Sequence, residues 1–322
     1  MKLPLTILIA FSMLSIATFS NAQSSYPSQT IRLLVPYAAG GLPDTIARIL
    51  AQGLAERLKQ QVIVENRPGG NGSVAASALA LLPPDGYTFI VTDGSMLSVT
   101  PLLHKNVTYD AKKDFAPVAL LGRAPLFLVS HPSLPVKSLT EFIAYVKANP
   151  GQINYGSSGV GSTHHISMEA MKAALKLNMS HIPFRGTGQS VPALLGGHVQ
   201  VLFSAYPSLA GAVESKTLTL LATNGSQRSS QAPDATPIAD IIPGFDFAVI
   251  VGILARAGTP SAIINKIATE AVASVKTPEA FKQYSAVGIE QVTGGPAEFQ
   301  REISSEMNRV SNAIRSANIK ID

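Results

Sequence analysis

The sequence predicts an α/β protein built as two lobes joined by a hinge. Short runs of β-branched and apolar residues alternate with stretches of helical periodicity, the pattern of strands feeding crossover helices. The 322 residues are about two domain lengths at ~150 residues each. Two long apolar stretches, 116–131 and 247–255, read as places where the chain leaves one lobe and later returns.

The elements follow in order. A first strand at 31–36 precedes a helix in which Ile46, Ile49, Leu50, Leu54 and Leu58 recur at helical spacing. Pro43 stands where a first-turn proline belongs. A strand at 62–65, a helix at 74–82 and a strand at 87–92 come next. Strands at 118–121 and 126–130 follow, then a helix at 139–148 and a strand at 153–155. A helix at 163–177, a strand at 181–184, a helix at 190–196 and strands at 199–204 and 218–222 complete the middle of the chain. The return carries a strand at 248–255 and helices at 263–275 and 297–317. Several strands are continuous apolar runs, as in strands buried on both faces, so largely parallel sheets are expected. The division that results is a leader at 1–22, a first lobe at 23–123, a second lobe at 124–247 and a return to the first lobe at 248–322.

The leader has the form of a secretory signal. Lys2 gives a positive start, residues 3–17 are apolar, and Ser20 and Ala22 are the small residues of a cleavage site after Ala22. The apolar run is shorter than the ~20 residues a spanning helix needs. Hydrophobic residues make up 46% and charged residues 14% of the chain, which excludes a disordered chain. With no cysteine, a thiol nucleophile, an iron–sulfur cluster and a disulfide framework are excluded. The net charge is +5, but Lys and Arg are scattered and tryptophan is absent, so a nucleic-acid surface is not expected.

Two glycine-rich loops share one design. Pro36-Tyr37-Ala38-Ala39-Gly40-Gly41-Leu42-Pro43-Asp44 and Gly156-Ser157-Ser158-Gly159-Val160-Gly161-Ser162-Thr163 each follow a strand and open a helix. Glycine lets the backbone approach a ligand, and the helix start presents free N–H groups worth about 0.3–1 kcal/mol toward an anion. Facing each other, such loops would form a cleft for carboxylates, with Ser162 and Thr163 adding hydroxyls. Arg185, between Phe184 and Gly186, could clamp a carboxylate or lie solvated at the surface.

Other patterns are weaker. Gly70-Asn71-Gly72-Ser73-Val74-Ala75 fits a dinucleotide fingerprint, but the loop 66–69 separates it from its strand, where a tight turn is required. His165 and Glu169 share a helix face and could join His181 at a metal, yet no further ligand spacing supports one. No G-x-S-x-G elbow occurs. Neither catalytic residues nor a cofactor or metal site are expected.

Taken together, the residues resemble the periplasmic solute receptors of tripartite tricarboxylate transporters, the Bug family. The resemblance rests on Tyr37-Ala38-Ala39-Gly40-Gly41 with Asp44 and Ala47-Arg48, on Val64-Glu65-Asn66-Arg67-Pro68-Gly69, and on Pro84-Asp85-Gly86-Tyr87-Thr88. It continues through Gly159-Val160-Gly161-Ser162 with His165 and Glu169, His181-Ile182-Pro183-Phe184-Arg185-Gly186, Leu194-Leu195-Gly196-Gly197 and Gly258-Thr259-Pro260. It implies a two-lobed periplasmic binding protein of Venus-flytrap, type II-like form with the ligand cleft between lobes. It also implies a non-catalytic, monomeric receptor that hands a small organic carboxylate to membrane transporter subunits. An exported carboxylate-processing enzyme or a ligand-sensing component on the same scaffold is the alternative. Carried over, the ligand-binding residues are Tyr37, Gly40, Gly41, Leu42, Asp44, Gly94, Ser95, Gly161, Ser162, Thr163, His165, Arg185 and Gly186. Leu42-Pro43 stand where the family has small hydroxyl residues, and Ile250 stands where it often has tryptophan.

Overall fold

Ile31, Leu33 and Val35 turn to one face of the first strand and Leu34 to the other, and both faces are buried. Such a strand needs helices on each side, and the structure supplies them. The computed structural model describes residues 26–103, 107–317 and 319. The expected leader and cleavage site after Ala22 lie outside the described residues.

The first part of the chain runs β1 (Ile31–Val35), α1 (Leu42–Leu58), β2 (Val62–Asn66), α2 (Ser73–Ala80), β3 (Thr88–Asp93), the short helices α3 (Ser95–Ser98) and α4 (Thr100–Leu103), and β4 (Phe115–Ala124). The middle runs β5 (Leu126–Ser130), α5 (Leu139–Ala148), β6 (Asn154–Ser157), α6 (Thr163–Leu175), β7 (Ser180–Pro183), α7 (Thr187–Leu195), β8 (Val201–Ala205), α8 (Ala210–Glu214), β9 (Thr219–Thr223) and β10 (Thr236–Pro237). The return holds β11 (Val249–Arg256), α9 (Ser261–Val275), α10 (Pro278–Ala286) and α11 (Pro296–Ser316).

The strands form two sheets, β2-β1-β3-β11-β4 and β10-β9-β5-β8-β6-β7. In the first, Ile46, Leu50 and Leu54 of α1 cover one face with Ile267 and Ala271 of α9, while Leu79, Met96 and Phe299 cover the other. Each fully buried leucine contributes about 1.5–3 kcal/mol.

The sheets are less uniformly parallel than expected. β11 runs antiparallel to β3 and β4, and β5 runs antiparallel to β8 and β9. The cause is the crossing itself. β4 runs toward the gap between lobes and passes through Pro125 into β5, so β5 enters the second sheet from the gap and points away from it. β11 enters the first sheet the same way.

The two crossings are tied together. Asn224 is fully buried. Its Oδ1 accepts from Leu126 N–H at 2.7 Å, and its Nδ2 donates to Phe247 O at 2.8 Å and to Ser167 Oγ at 3.1 Å. Arg123, near the end of β4, pairs with Asp246 before β11. One side chain and one ion pair thus join both crossings.

The last helix belongs to neither sheet alone. Phe299 and Ile303 of α11 lie in the first-lobe core, while Val310 and Ala313 lie in a core built mainly from the second lobe. Its 21 residues make it about 31 Å long at 1.5 Å per residue, long enough to span both. A Cβ at Gly252 would overlap the Phe299 ring, so this glycine admits the helix. Ile250 joins the same cluster.

Candidate ligand cleft

In open α/β sheets, ligands gather outside the carboxyl ends of the strands. Here the carboxyl ends of β1, β3 and β4 and those of β6, β8 and β9 lead to the same seam, because β4 passes there directly into β5. The glycine-rich loops occupy the ends of β1 and β6.

The first loop is organised by Asp44. Its Oδ2 accepts from Gly40 N–H at 2.8 Å and from Arg48 Nε at 3.0 Å; its Oδ1 accepts from Arg48 Nη2 at 3.0 Å and from Asn66 Nδ2 at 2.9 Å. Asn66 also donates to Tyr37 O at 3.1 Å. Burial pushes the Asp44 pKa up, but these donors outweigh it and hold the carboxyl below its usual range. Asp44 is 2% exposed, so its oxygens face the loop. Gly40 has φ +84°, a left-handed conformation that suits glycine. Gly41 caps α1 without a side-chain bond, which leaves free N–H groups in the first turn. Leu42 leans partly on the first-lobe core.

Tyr37 ties this loop to the end of β3. Its hydroxyl donates to Asp93 Oδ1 at 2.7 Å, and the same oxygen accepts from Ser95 N–H at 3.0 Å. Burial, with Asp93 alongside, raises the Tyr37 pKa; burial likewise raises that of Asp93 against the donors around it.

The second loop rests on neutral groups. Ser157 Oγ lies 2.7 Å from His181 Nε2 and accepts from Gly159 N–H at 3.1 Å. Ser162 caps α6 by accepting from His165 N–H at 3.3 Å and donates to Gly159 O at 2.7 Å. Gly161 N–H donates to His165 Nδ1 at 3.1 Å, which places the imidazole proton on Nε2. The His165 and His181 rings stack at 4.1 Å, with Tyr155 stacked 4.7 Å from His181. Burial lowers both histidines, His181 to about 4 with His165 as a further cause.

His165, His181 and Glu169 do converge, but as a stack rather than a ligand shell. His165 Nδ1 takes the Gly161 amide, His181 Nε2 meets Ser157, and Glu169 accepts from Tyr155 and Lys172. Among the described residues, no group of three or more His, Asp or Glu side chains is arranged to hold a metal. The stretch 70–75 forms a single 3₁₀ turn running into α2, with Asn71 bonded to Thr100.

Gly94, Ser95 and Thr163 line one small cavity at the seam, of about 20 Å³, together with Glu306. Glu306 escaped the sequence reading, since nothing in its helix pattern marks it. Arg185 is exposed; its N–H donates to Gln189 Oε1 at 3.1 Å, and its turn adjoins the second loop where Phe184 O approaches Gly159. Gly186 at that turn has φ +120°. Among the described residues, no helix is long and apolar enough to cross a membrane.

Comparison with known proteins places this geometry. The family model described as Tripartite tricarboxylate transporter family receptor matches residues 46–319. Protein BugT of Bordetella pertussis is 32% identical over 302 residues, 92% of each chain. The solved structure of R. palustris Rpa4515 with adipate superposes with TM-score 0.78 at 30% identity, covering 92% of this chain and 99% of that one. MatC from Rhodopseudomonas palustris, with bound malate, superposes with TM-score 0.73 at 27% identity, covering 90% of this chain and 100% of that one.

Proposed function

The chain belongs to the tripartite tricarboxylate transporter receptor family, and on that footing we propose that it binds one small organic carboxylate between its lobes. The two lobes are 23–123 with 248–322 and 124–247. The carboxylate is passed to the membrane subunits of a transporter. The protein acts in the periplasm, after loss of its leader, as a monomer and without a chemical step.

The observation that carries this reading is the pairing of two helix starts at one seam. α1 begins at Gly41 with no side-chain cap, and α6 begins at Ser162. Both offer backbone N–H groups and the positive ends of helix dipoles, which suit carboxylate oxygens whatever the side chains nearby. Ser95, Thr163 and the exposed Arg185 add donors around them. Leu42 adds none, so an aliphatic diacid fits this wall better than a hydroxylated one such as citrate. A hydroxyl buried there unpaired would cost about 1–3 kcal/mol. The adipate bound in Rpa4515 is a ligand of that aliphatic kind.

A thermal-shift titration with adipate, malate and citrate tests the reading. A ligand at a hundred times its dissociation constant should stabilise the fold by about 2.7 kcal/mol. Saturable shifts with diacids, larger for adipate than citrate, are expected. No shift with any carboxylate, or turnover of one, would overturn it.

A further inference from the structure

Glu306 sits in the middle of α11, at the seam. Its carboxyl lies directly over Gly94, where a Cβ would overlap both its oxygens. Oε1 is 2.7 Å from Ser98 Oγ. Oε2 is buried and has no hydrogen-bond partner among the described residues. It borders the 20 Å³ cavity whose other walls are Ser95 and Val99 of the first lobe, Thr163 and Ile166 of the second, and the returning segment at Val249. That space is about one water molecule in size.

The burial of the carboxyl and its shortage of donors favour the neutral acid. Ser98 Oγ is within bonding distance of both Glu306 Oε1 and Gly94 O, at 2.7 and 2.9 Å. A hydroxyl has one proton. Gly94 O already accepts from the Leu97 and Ser98 N–H groups, so the Ser98 hydroxyl is free to turn to Glu306, but it is the one donor to that carboxyl among the described residues and leaves Oε2 unpaired. A buried carboxylate with a single donor is costly, and the protonated acid, which can donate to Ser98 Oγ, carries no such charge.

We propose that Glu306 is a proton-carrying positioning residue: protonated while the lobes are packed together, it fixes the Gly94–Ser98 turn that presents Ser95 to the cleft, and it ionises when the seam opens to water. The charged groups around it agree. Asp93, at the end of β3, is a second carboxylate held by Tyr37 and Ser95. Glu302 on the same helix adds negative charge, and Arg309 alone opposes it. From α6, Thr163 and Ile166 line the cavity, and His164 beside Thr163 is partly buried and held neutral, its pKa pushed down to about 4 by burial. Burial, with Asp93 beside it, raises the Glu306 pKa to about 7. Ligand binding that packs the lobes together therefore takes up about half a proton at neutral pH and nearly a whole one near pH 6. This consequence rests on the carboxylate-receptor reading; the protonation itself does not.

The test uses the purified protein and adipate. Calorimetry in two buffers of different ionisation heat should find uptake of nearly one proton per adipate at about pH 6 and little at about pH 8, with affinity about tenfold weaker at pH 8 than at pH 6. Glu306→Gln, whose amide still donates to Ser98, should bind adipate with no proton uptake and little pH dependence. Proton uptake equal in both proteins would overturn the proposal. A second measurement follows melting with saturating adipate, which keeps the lobes packed. There the raised pKa makes the wild-type complex lose stability as pH rises from the ordinary glutamate value through about 7. Melting curves of the wild-type and Glu306→Gln complexes should diverge over that range; parallel curves would overturn the proposal. If adipate binds neither protein at any pH, it is the carboxylate reading that falls.

Discussion

The loop after β1 is held by charge, whereas the loop after β6 is held by neutral rings and hydroxyls. Both must keep a helix start open toward the seam. At the first, Arg48 has a side chain 55% exposed and keeps much of its hydration, while the buried Asp44 is compensated by four hydrogen bonds. At the second, His165 is 6% exposed and Ser157 fully buried. A charge there would lack water and a full set of partners, which is costly, so the same task falls to an imidazole stack kept unprotonated by its burial. Similar loop geometry therefore does not imply a similar response to mutation or pH.

Removing the charge at the first loop should have the largest effect. Asp44→Ala takes four hydrogen bonds from the loop, including those to Gly40 and Asn66. Bonds to charged groups are worth about 1.5–3 kcal/mol, and Arg48 can return to water, so a net loss of about 2–3 kcal/mol is expected in urea unfolding. Ser157→Ala at the second loop removes the link between His181 and Gly159 and should cost about 1–2 kcal/mol. Equal losses at the two sites would erase the distinction.

Acidification separates the loops by order. The folded state holds His181 near 4 against an ordinary 6.5. Its stabilising contribution is full above 6.5 and is lost as pH falls toward 4. Asp44 is held below its ordinary 3.8, so the first loop keeps its support until the pH drops under that value. Protection against amide exchange, taken relative to the intrinsic rate at each pH, should be lost at Gly161 before Gly40 as pH is lowered. The reverse order would contradict the assignment of charge to one loop and neutrality to the other.

The smallest effect is on selectivity. Leu42→Ser supplies a hydroxyl at the first-loop wall and should narrow the preference for adipate over citrate by a few-fold, about 1 kcal/mol. Calorimetry with both ligands reads it. An unchanged ratio would mean that Leu42, which leans on the first-lobe core, does not face the ligand.

Much of the fold was legible because it is written in local periodicity. The strand at 126–130 and the helix at 139–148 match β5 and α5 to the residue. α3, α4 and α8 are four or five residues long, too short to show a period. α10 does carry a local signal, Thr277 capping ahead of Pro278, but its nine residues show little period. The antiparallel course of β5 and β11 follows from where the chain crosses, which strand composition does not reveal. The loops themselves stood out, because glycine before a helix is a local pattern. Their supports did not: Asn224 reaches Leu126 across 98 positions and Glu306 reaches Ser98 across 208. Such convergence depends on tertiary structure alone. His165, expected from the resemblance as a ligand contact, accepts the Gly161 amide on Nδ1 in the structure.

One measurement bears most directly on the claim that both loops serve a single carboxylate. Backbone amide shifts are followed by NMR while adipate is titrated into the purified protein. The account predicts that Gly41 in the first loop and Gly161 and Thr163 in the second shift together and saturate with one dissociation constant. Shifts confined to one lobe, or two different constants for the two loops, would contradict it.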